Sequence, residues 1–273
     1  MSADAPWTPA LRGLAAVEAV HAVNLGLRWG GPAAGLVLAA SVWALLRPQD
    51  RRPWAGGAVV LLALALHQPL LAANHHWVLV YAATAAALVG PTRPDLRRAA
   101  SGLIALVMGF ATLQKLITPG FMDGRFMAFM WATGELARPL LAANPVVDLA
   151  LTENAAAWEA MRRAGEPSAQ VTLRWPLMSL AAWGRATAAL TVLAEGALAV
   201  LAARPGRGAR LPVALVLFVV PLGLLRPEWT FAATLCALGG LASPPAARWS
   251  RRLLLALVPP LLVLAAFGVG RGP

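Results

Sequence analysis

The stretch Leu96–Thr118, LRRAASGLIALVMGFATLQKLIT, decides the fold. It opens with Arg97 and Arg98, carries no charge from Ala99 through Gln114, and meets Lys115 one turn before its end. A helix rises ~1.5 Å per residue, so about 20 apolar residues cross the ~30 Å hydrocarbon layer of a bilayer. The stretch therefore reads as a transmembrane helix with arginines at one end. The pattern recurs. Apolar runs at 11–27, 32–46, 54–73, 76–90, 177–203, 211–225, 229–242 and 253–269 join it to give nine expected spans.

Composition agrees with that solvent. Of 273 residues, 59% are hydrophobic and 13% charged, against about 45–50% and 25% in soluble domains. Mean hydropathy is +0.66 and the isoelectric point about 11.7. A soluble enzyme, a nucleic-acid-binding domain and a disordered chain are excluded by this balance, and the expected partner is the lipid bilayer. The net charge of +11 comes from arginines in short clusters between apolar runs, the pattern of membrane-protein loops. Cys236 is the one cysteine, so neither a disulfide framework nor a Cys-rich metal site is available.

Arginine clusters follow the even-numbered runs: Arg47/Arg51/Arg52, Arg93/Arg97/Arg98, Arg204/Arg207/Arg210 and Arg248/Arg251/Arg252. Cytoplasmic loops carry the Lys/Arg excess. The alternation predicts a cell (inner) membrane protein with a cytoplasmic N-terminus and an exoplasmic C-terminus. The whole chain, 1–273, reads as a single polytopic membrane domain of all-α class. Residues 119–176 form its one long exoplasmic loop, with short helices in it, including one capped by Thr152 and running to Arg163. That loop holds half of the acids and a Phe/Met-rich stripe from Phe121 to Met130. The stripe is expected to pack against the bundle or lie in the membrane interface; the sharper reading is a wall for a flat apolar ligand.

Ionisable residues inside apolar runs are functional candidates because they are costly there. They are Glu18, His21, His67, Lys115, Arg185 and Glu195, with His75 and His76 at a run's edge. Glu18 and His21 share a helix face. A di-iron site would need more carboxylates and a second such pair, so no metal is predicted, and the pair reads as an interhelical hydrogen bond. Glu195 reads the same way. Lys115 is the only lysine among 23 basic residues. Fifth-span Lys115 and fourth-span His75 are expected at the same outer face. Burial disfavours an ammonium, so a lysine there is able to act as a general base, which arginine is not. A snorkelling lysine and a helix-terminal histidine are the plain alternatives.

The string Asn74-His75-His76-Trp77 resembles the Asn-His-x-aromatic motif of vitamin K-dependent gamma-carboxylase and its bacterial relatives, the horizontally transferred transmembrane (HTTM) family. Gln114-Lys115-Leu116, followed by Gly120-Phe121-Met122-Asp123-Gly124-Arg125-Phe126-Met127, resembles that family's Lys-Leu segment and the aromatic and acidic stretch after it. Glu195 resembles a late-helix glutamate of the family. The resemblance implies that Lys115 deprotonates a reduced quinone of the vitamin K hydroquinone kind and that His75 assists, with Asn74, His76, Gln114, Phe121, Asp123 and Glu195 in support. The carboxylase holds its peptide substrate in a large lumenal domain, whereas here the loop at 119–176 is the one sizeable segment expected outside the membrane, so carboxylation of a protein glutamate is not expected. The expected function is quinol-dependent oxidation, epoxidation or carboxylation. The alternative is a non-catalytic DoxX-like component that binds a membrane partner protein or lipid.

Overall fold

The computed structural model describes residues 8–29, 32–67, 74–90, 94–164, 171–177, 179–204, 210–226, 228–244 and 246–267. Among them are twelve helices and no strand. In chain order these are α1 (Thr8–Trp29), α2 (Pro32–Leu46), α3 (Arg51–His67), α4 (Asn74–Val89), α5 (Pro94–Ile117), α6 (Arg125–Ala132), α7 (Arg138–Leu141), α8 (Pro145–Ala164), α9 (Leu180–Ala203), α10 (Arg210–Leu225), α11 (Trp229–Ala242) and α12 (Arg248–Ala266).

Each of the nine apolar runs contains a helix, but the expectation of about nine transmembrane helices is overturned. Among the described residues, three helices are long and apolar enough to cross a membrane: Asp95–Ile117 in α5, Leu180–Ala203 in α9, and Arg248–Ala266, the whole of α12. Length defeats most of the others. Helices α2, α4, α10 and α11 have 15, 16, 16 and 14 residues, roughly 21–24 Å at ~1.5 Å each. The α1 helix is 22 residues long but carries Arg12, Glu18, His21 and Arg28. Nor does α3 qualify, since its 17 residues begin with Arg51-Arg52 and end at His67. A run of 10–14 apolar residues is as much a buried core helix as a span, and α11 shows it. Every residue from Ala232 to Ala242 is buried, as expected of a helix that is apolar all round.

The chain divides into two compact units. The first comprises 1–109, 197–220 and 228–269. Its core is built from Leu11 and Leu14 of α1, Trp54 and Leu61 of α3, Leu79 of α4, Ile104 of α5 and Leu235, Leu238 and Leu241 of α11. Buried Trp54 spends its indole N–H on the Pro48 carbonyl at 3.1 Å, so the ring packs without leaving a donor unpaired.

The second unit comprises 110–196, 221–227 and the C-terminal residues from 270. Phe121, Met127, Met130, Trp131, Leu136, Ala137 and Ala188 form its core. The α8 helix starts earlier than the hydroxyl at Thr152 predicted. The Asn144 side chain accepts the Val146 N–H at 3.0 Å, and Pro145 takes the first helical position, where its missing N–H costs nothing. Thr152 lies in the helix interior, where its Oγ1 accepts from Arg138. Two turns into α8, buried Asn154 donates to the Ala132 and Arg174 carbonyls and accepts the Arg174 N–H at 2.8 Å. One side chain thus ties α6 and the strap at 171–176 to α8.

Two glycines set how closely the turn before α6 meets α9. Gly124 has φ +84°, a conformation that favours glycine. A Cβ on Gly184 would overlap the Gly124 carbonyl oxygen and crowd Ala128. We expect Gly184→Ala to lower the stability of the second unit by about 1–3 kcal/mol, the usual cost of overpacking. Thermal unfolding of the detergent-solubilised protein, followed by tryptophan fluorescence, checks this. An unchanged transition would mean that the backbones separate freely.

A lysine–glutamate pair beside an aromatic wall: the candidate functional site

Lys115 sits in the last turn of α5, and Glu195 lies fifteen residues into α9. Neither helix offers either residue an opposite charge within two turns, so the charges turn to each other. Lys115 Nζ donates to both carboxylate oxygens of Glu195, at 2.9 Å to Oε1 and 2.8 Å to Oε2. The two side chains are 25% and 11% exposed. This is a mostly desolvated, charge-assisted contact, of the kind stronger than neutral hydrogen bonds. One turn before Lys115, Thr112 faces Gly196, the residue that follows Glu195, and that small residue lets the helices approach beside the pair.

The wall is aromatic. Lys115 Nζ lies 5.8 Å from the centre of the Phe121 ring, within cation–π range. Phe121 is buried and stacks on Phe126 at 5.8 Å. The turn that carries Phe121 is closed by its own backbone. Phe121 N–H donates to Thr118 O, Gly124 N–H to Phe121 O, and Phe126 N–H to Gly120 O. Trp175 also packs against this core, and its indole Nε1 is buried with no hydrogen-bond partner among the described residues.

The other expected site residues fall as follows. Gln114 is exposed, and its carbonyl accepts from the Thr118 backbone and hydroxyl. Asp123 is also exposed. It accepts the Arg125 backbone N–H at 3.0 Å and Arg125 Nε at 2.7 Å, and the backbone bond first, then the guanidinium, holds its carboxyl below the usual range. Asp123 thus shapes the turn. His76 is buried in the first unit against His21 and the Leu61 carbonyl. Asn74 and His75 begin α4, but their side chains lie outside the described residues, as does the expected meeting of His75 with Lys115. Within the Phe/Met stripe, Met127 and Met130 are buried with Phe121, whereas Met122 and Phe126 are exposed.

Sequence reasoning singled out both Lys115 and Glu195 but paired Lys115 with His75. It read Glu195 as an interhelical hydrogen bond with no partner named. The available signal was arithmetic: two opposite charges inside apolar helices, each too costly to bury alone. Comparison with protein-family models, with curated proteins and with solved structures finds no match.

If the pair bears load, removing one partner strands the other. Glu195→Ala is expected to cost about 1.5–3 kcal/mol, the range for hydrogen bonds to charged groups. The double change Lys115→Met with Glu195→Leu should recover most of that, because no buried charge remains. Unfolding temperatures of the three proteins in one detergent provide the check. A double variant no better than Glu195→Ala would show that the loss comes from packing.

Proposed function

We propose that this chain is an integral membrane protein that binds a reduced quinone and handles its hydroxyl proton at the Lys115–Glu195 pair. The observation that carries the reading is the two-pronged contact between Nζ and the carboxylate beside buried Phe121. A bound quinol would supply an acidic aromatic hydroxyl and two reducing electrons. The residues suit such a group. Phe121 offers a flat apolar face, and in the same unit Trp175 Nε1 is a buried donor without a partner among the described residues.

In this reading the pair is a relay. Lys115 Nζ passes one proton to a Glu195 oxygen and takes the substrate hydroxyl's proton in its place. Glu195 therefore holds the proton that makes Nζ a base, and Phe121 keeps water from Nζ. This fits the quinol-dependent oxidation, epoxidation or carboxylation expected from the resemblance to gamma-carboxylase and the HTTM family. The same contact also suits a plain clamp between α5 and α9, which is the role it would have in a non-catalytic component that binds a partner protein or lipid.

The proposed location is the cell membrane, with the arginine-bearing ends of the three long apolar helices on the cytoplasmic side. Arg97 and Arg98 begin α5, Arg204 follows α9, and Arg248, Arg251 and Arg252 begin α12. The positive-inside rule then puts the segment between α5 and α9 outside. Glu159 on α8, whose side chain is partly exposed, reports on it. Glu159→Cys is expected to react with an impermeant maleimide added outside intact cells, against a low background from buried Cys236. Labelling only after permeabilisation would reverse the orientation.

Lys115→Arg separates relay from clamp. Guanidinium keeps the charge and can grip a carboxylate with two bonds, but it does not release a proton at working pH. Wild-type protein should co-purify with quinone, detected by mass spectrometry of its lipid extract, and consume quinol in liposomes. Lys115→Arg should insert and fold normally while quinol consumption falls ~10²–10⁴-fold, the usual worth of a general base. Full consumption by Lys115→Arg would leave the pair as a clamp, and absence of quinone from the extract would remove the quinol reading.

A further inference from the structure

A second cluster of ionisable side chains lies in the first unit, and its reading is independent of the function proposed for Lys115. Glu18 and His21 are one turn apart on α1, and His76 is at the start of α4. Glu18, His21 and His76 are 1%, 4% and 1% exposed, so all three are buried. His21 Nε2 lies 2.8 Å from His76 Nδ1. The other nitrogen of His76, Nε2, lies 2.7 Å from the Leu61 carbonyl oxygen. The ring centres are 5.1 Å apart and the planes are inclined at 61°.

These contacts fix where the ring protons are. A carbonyl only accepts, so His76 Nε2 must carry hydrogen. In a neutral ring His76 Nδ1 is then a bare acceptor, and His21 Nε2 must donate to it. The two imidazoles form a directed chain from His21 through His76 to Leu61. Glu18 faces the same helix, α3, one turn earlier: its Oε2 lies 3.6 Å from where a Cβ on Gly57 would stand. Glycine leaves room there for the carboxyl. Glu18 Oε1 is buried and accepts no hydrogen bond among the described residues.

A charged group with this burial is costly unless compensated. The surrounding described side chains supply no compensation. On α1, Arg12 is exposed. The α2 helix has no ionisable residue. On α3, Arg51, Arg52 and His67 are exposed at its two ends, and on α4 Tyr81 is exposed. Cys236 of α11 is buried and neutral in its thiol form. On α12, Val258 stands beside Gly13 of α1 and Leu255 beside Gly240, which also faces Ala10. The two helices therefore run the same way, and Arg248, Arg251 and Arg252 fall about 16 Å or more from Glu18 along the axis. Among the described ionisable side chains, the balance of charge around Glu18 falls to the two histidines.

We propose that Glu18, His21 and His76 form a proton-binding site that holds one exchangeable proton in common. In the loaded state the cluster is neutral. The proton is shared between the Glu18 carboxyl, with both rings neutral, and the ring pair, as an imidazolium beside the Glu18 carboxylate, so that both forms are populated at once. Unloading gives that proton to solvent and leaves the carboxylate with two neutral rings. The titration belongs to the three groups together and to no one of them.

The test uses the whole protein in lipid. Infrared difference spectra across pH are recorded alongside ¹⁵N resonances of histidine-labelled protein, whose four histidines are few enough to assign. The expected result is a protonated-carboxyl stretch that disappears as pH rises, together with a shift of the His21 and His76 nitrogens at the same midpoint. Both rings should carry hydrogen on Nε2 in their neutral forms, with a nitrogen–nitrogen coupling across the His21–His76 contact. Glu18→Gln should abolish the carboxyl band and move the ring titration to lower pH by about 1–3 units, since the carboxylate that favours imidazolium is gone. Independent midpoints for carboxyl and rings, absence of the coupling, or a carboxyl band that survives Glu18→Gln would each overturn the proposal. The wild-type spectra decide it even if the variant does not fold.

Discussion

The contact on which the second unit turns is the one between Lys115 and Glu195. A lone charge among apolar helices costs more than nearby packing contacts return, and pairing makes the burial tolerable without making it a large source of stability. The consequence is positional. Two side chains that must touch fix how the end of α5 meets the middle of α9, with Thr112 and Gly196 fitted beside them. The turn that follows α5 then brings Phe121 over Nζ. The apolar contacts around the pair supply bulk stabilisation, and the pair supplies register.

The same rule explains how the rest of the chain treats its few polar side chains. Buried ones are spent on specific partners: Asn154 on two carbonyls and one N–H, Trp131 on the Thr187 hydroxyl, Trp54 on the Pro48 carbonyl, and His76 on a ring and a carbonyl. Exposed arginines, by contrast, take near neighbours, as in Arg125–Asp123 and Arg162–Glu159. Exposed pairs of this kind contribute little to stability. Four polar atoms are buried without a partner among the described residues: Thr8 Oγ1 and Arg251 Nη1 near helix starts, and, of more consequence, Glu18 Oε1 and Trp175 Nε1. Each of the last two lies in the cluster to which a proton or a ligand is assigned above.

Helices were legible in the sequence to a useful degree. The bounds of α2 and α11 coincide with the apolar runs, because Pro32 and Trp229 begin them and Arg47 and Ser243 follow them. Spans were less legible. Hydropathy reports that a segment avoids water but not whether it does so in lipid or against other helices. Length is the discriminator, and α11 at 14 residues, buried on every side, is a core helix by that measure. Counting arginine clusters did not help, since short apolar helices carry the same flanking charges as long ones.

By itself the sequence determined that the chain is helical and apolar, that Lys115 and Glu195 are exceptional, and that Glu18 and His21 share a face. Each follows from local spacing, which a helix of fixed rise and pitch converts directly into geometry. Only the tertiary structure decided that Lys115 answers to Glu195, 80 residues away, and that His21 answers to His76, 55 residues away. Such pairings depend on how helices cross and how far each extends past its neighbour. Those are set by the packing of many small apolar side chains at once, and no short motif encodes them.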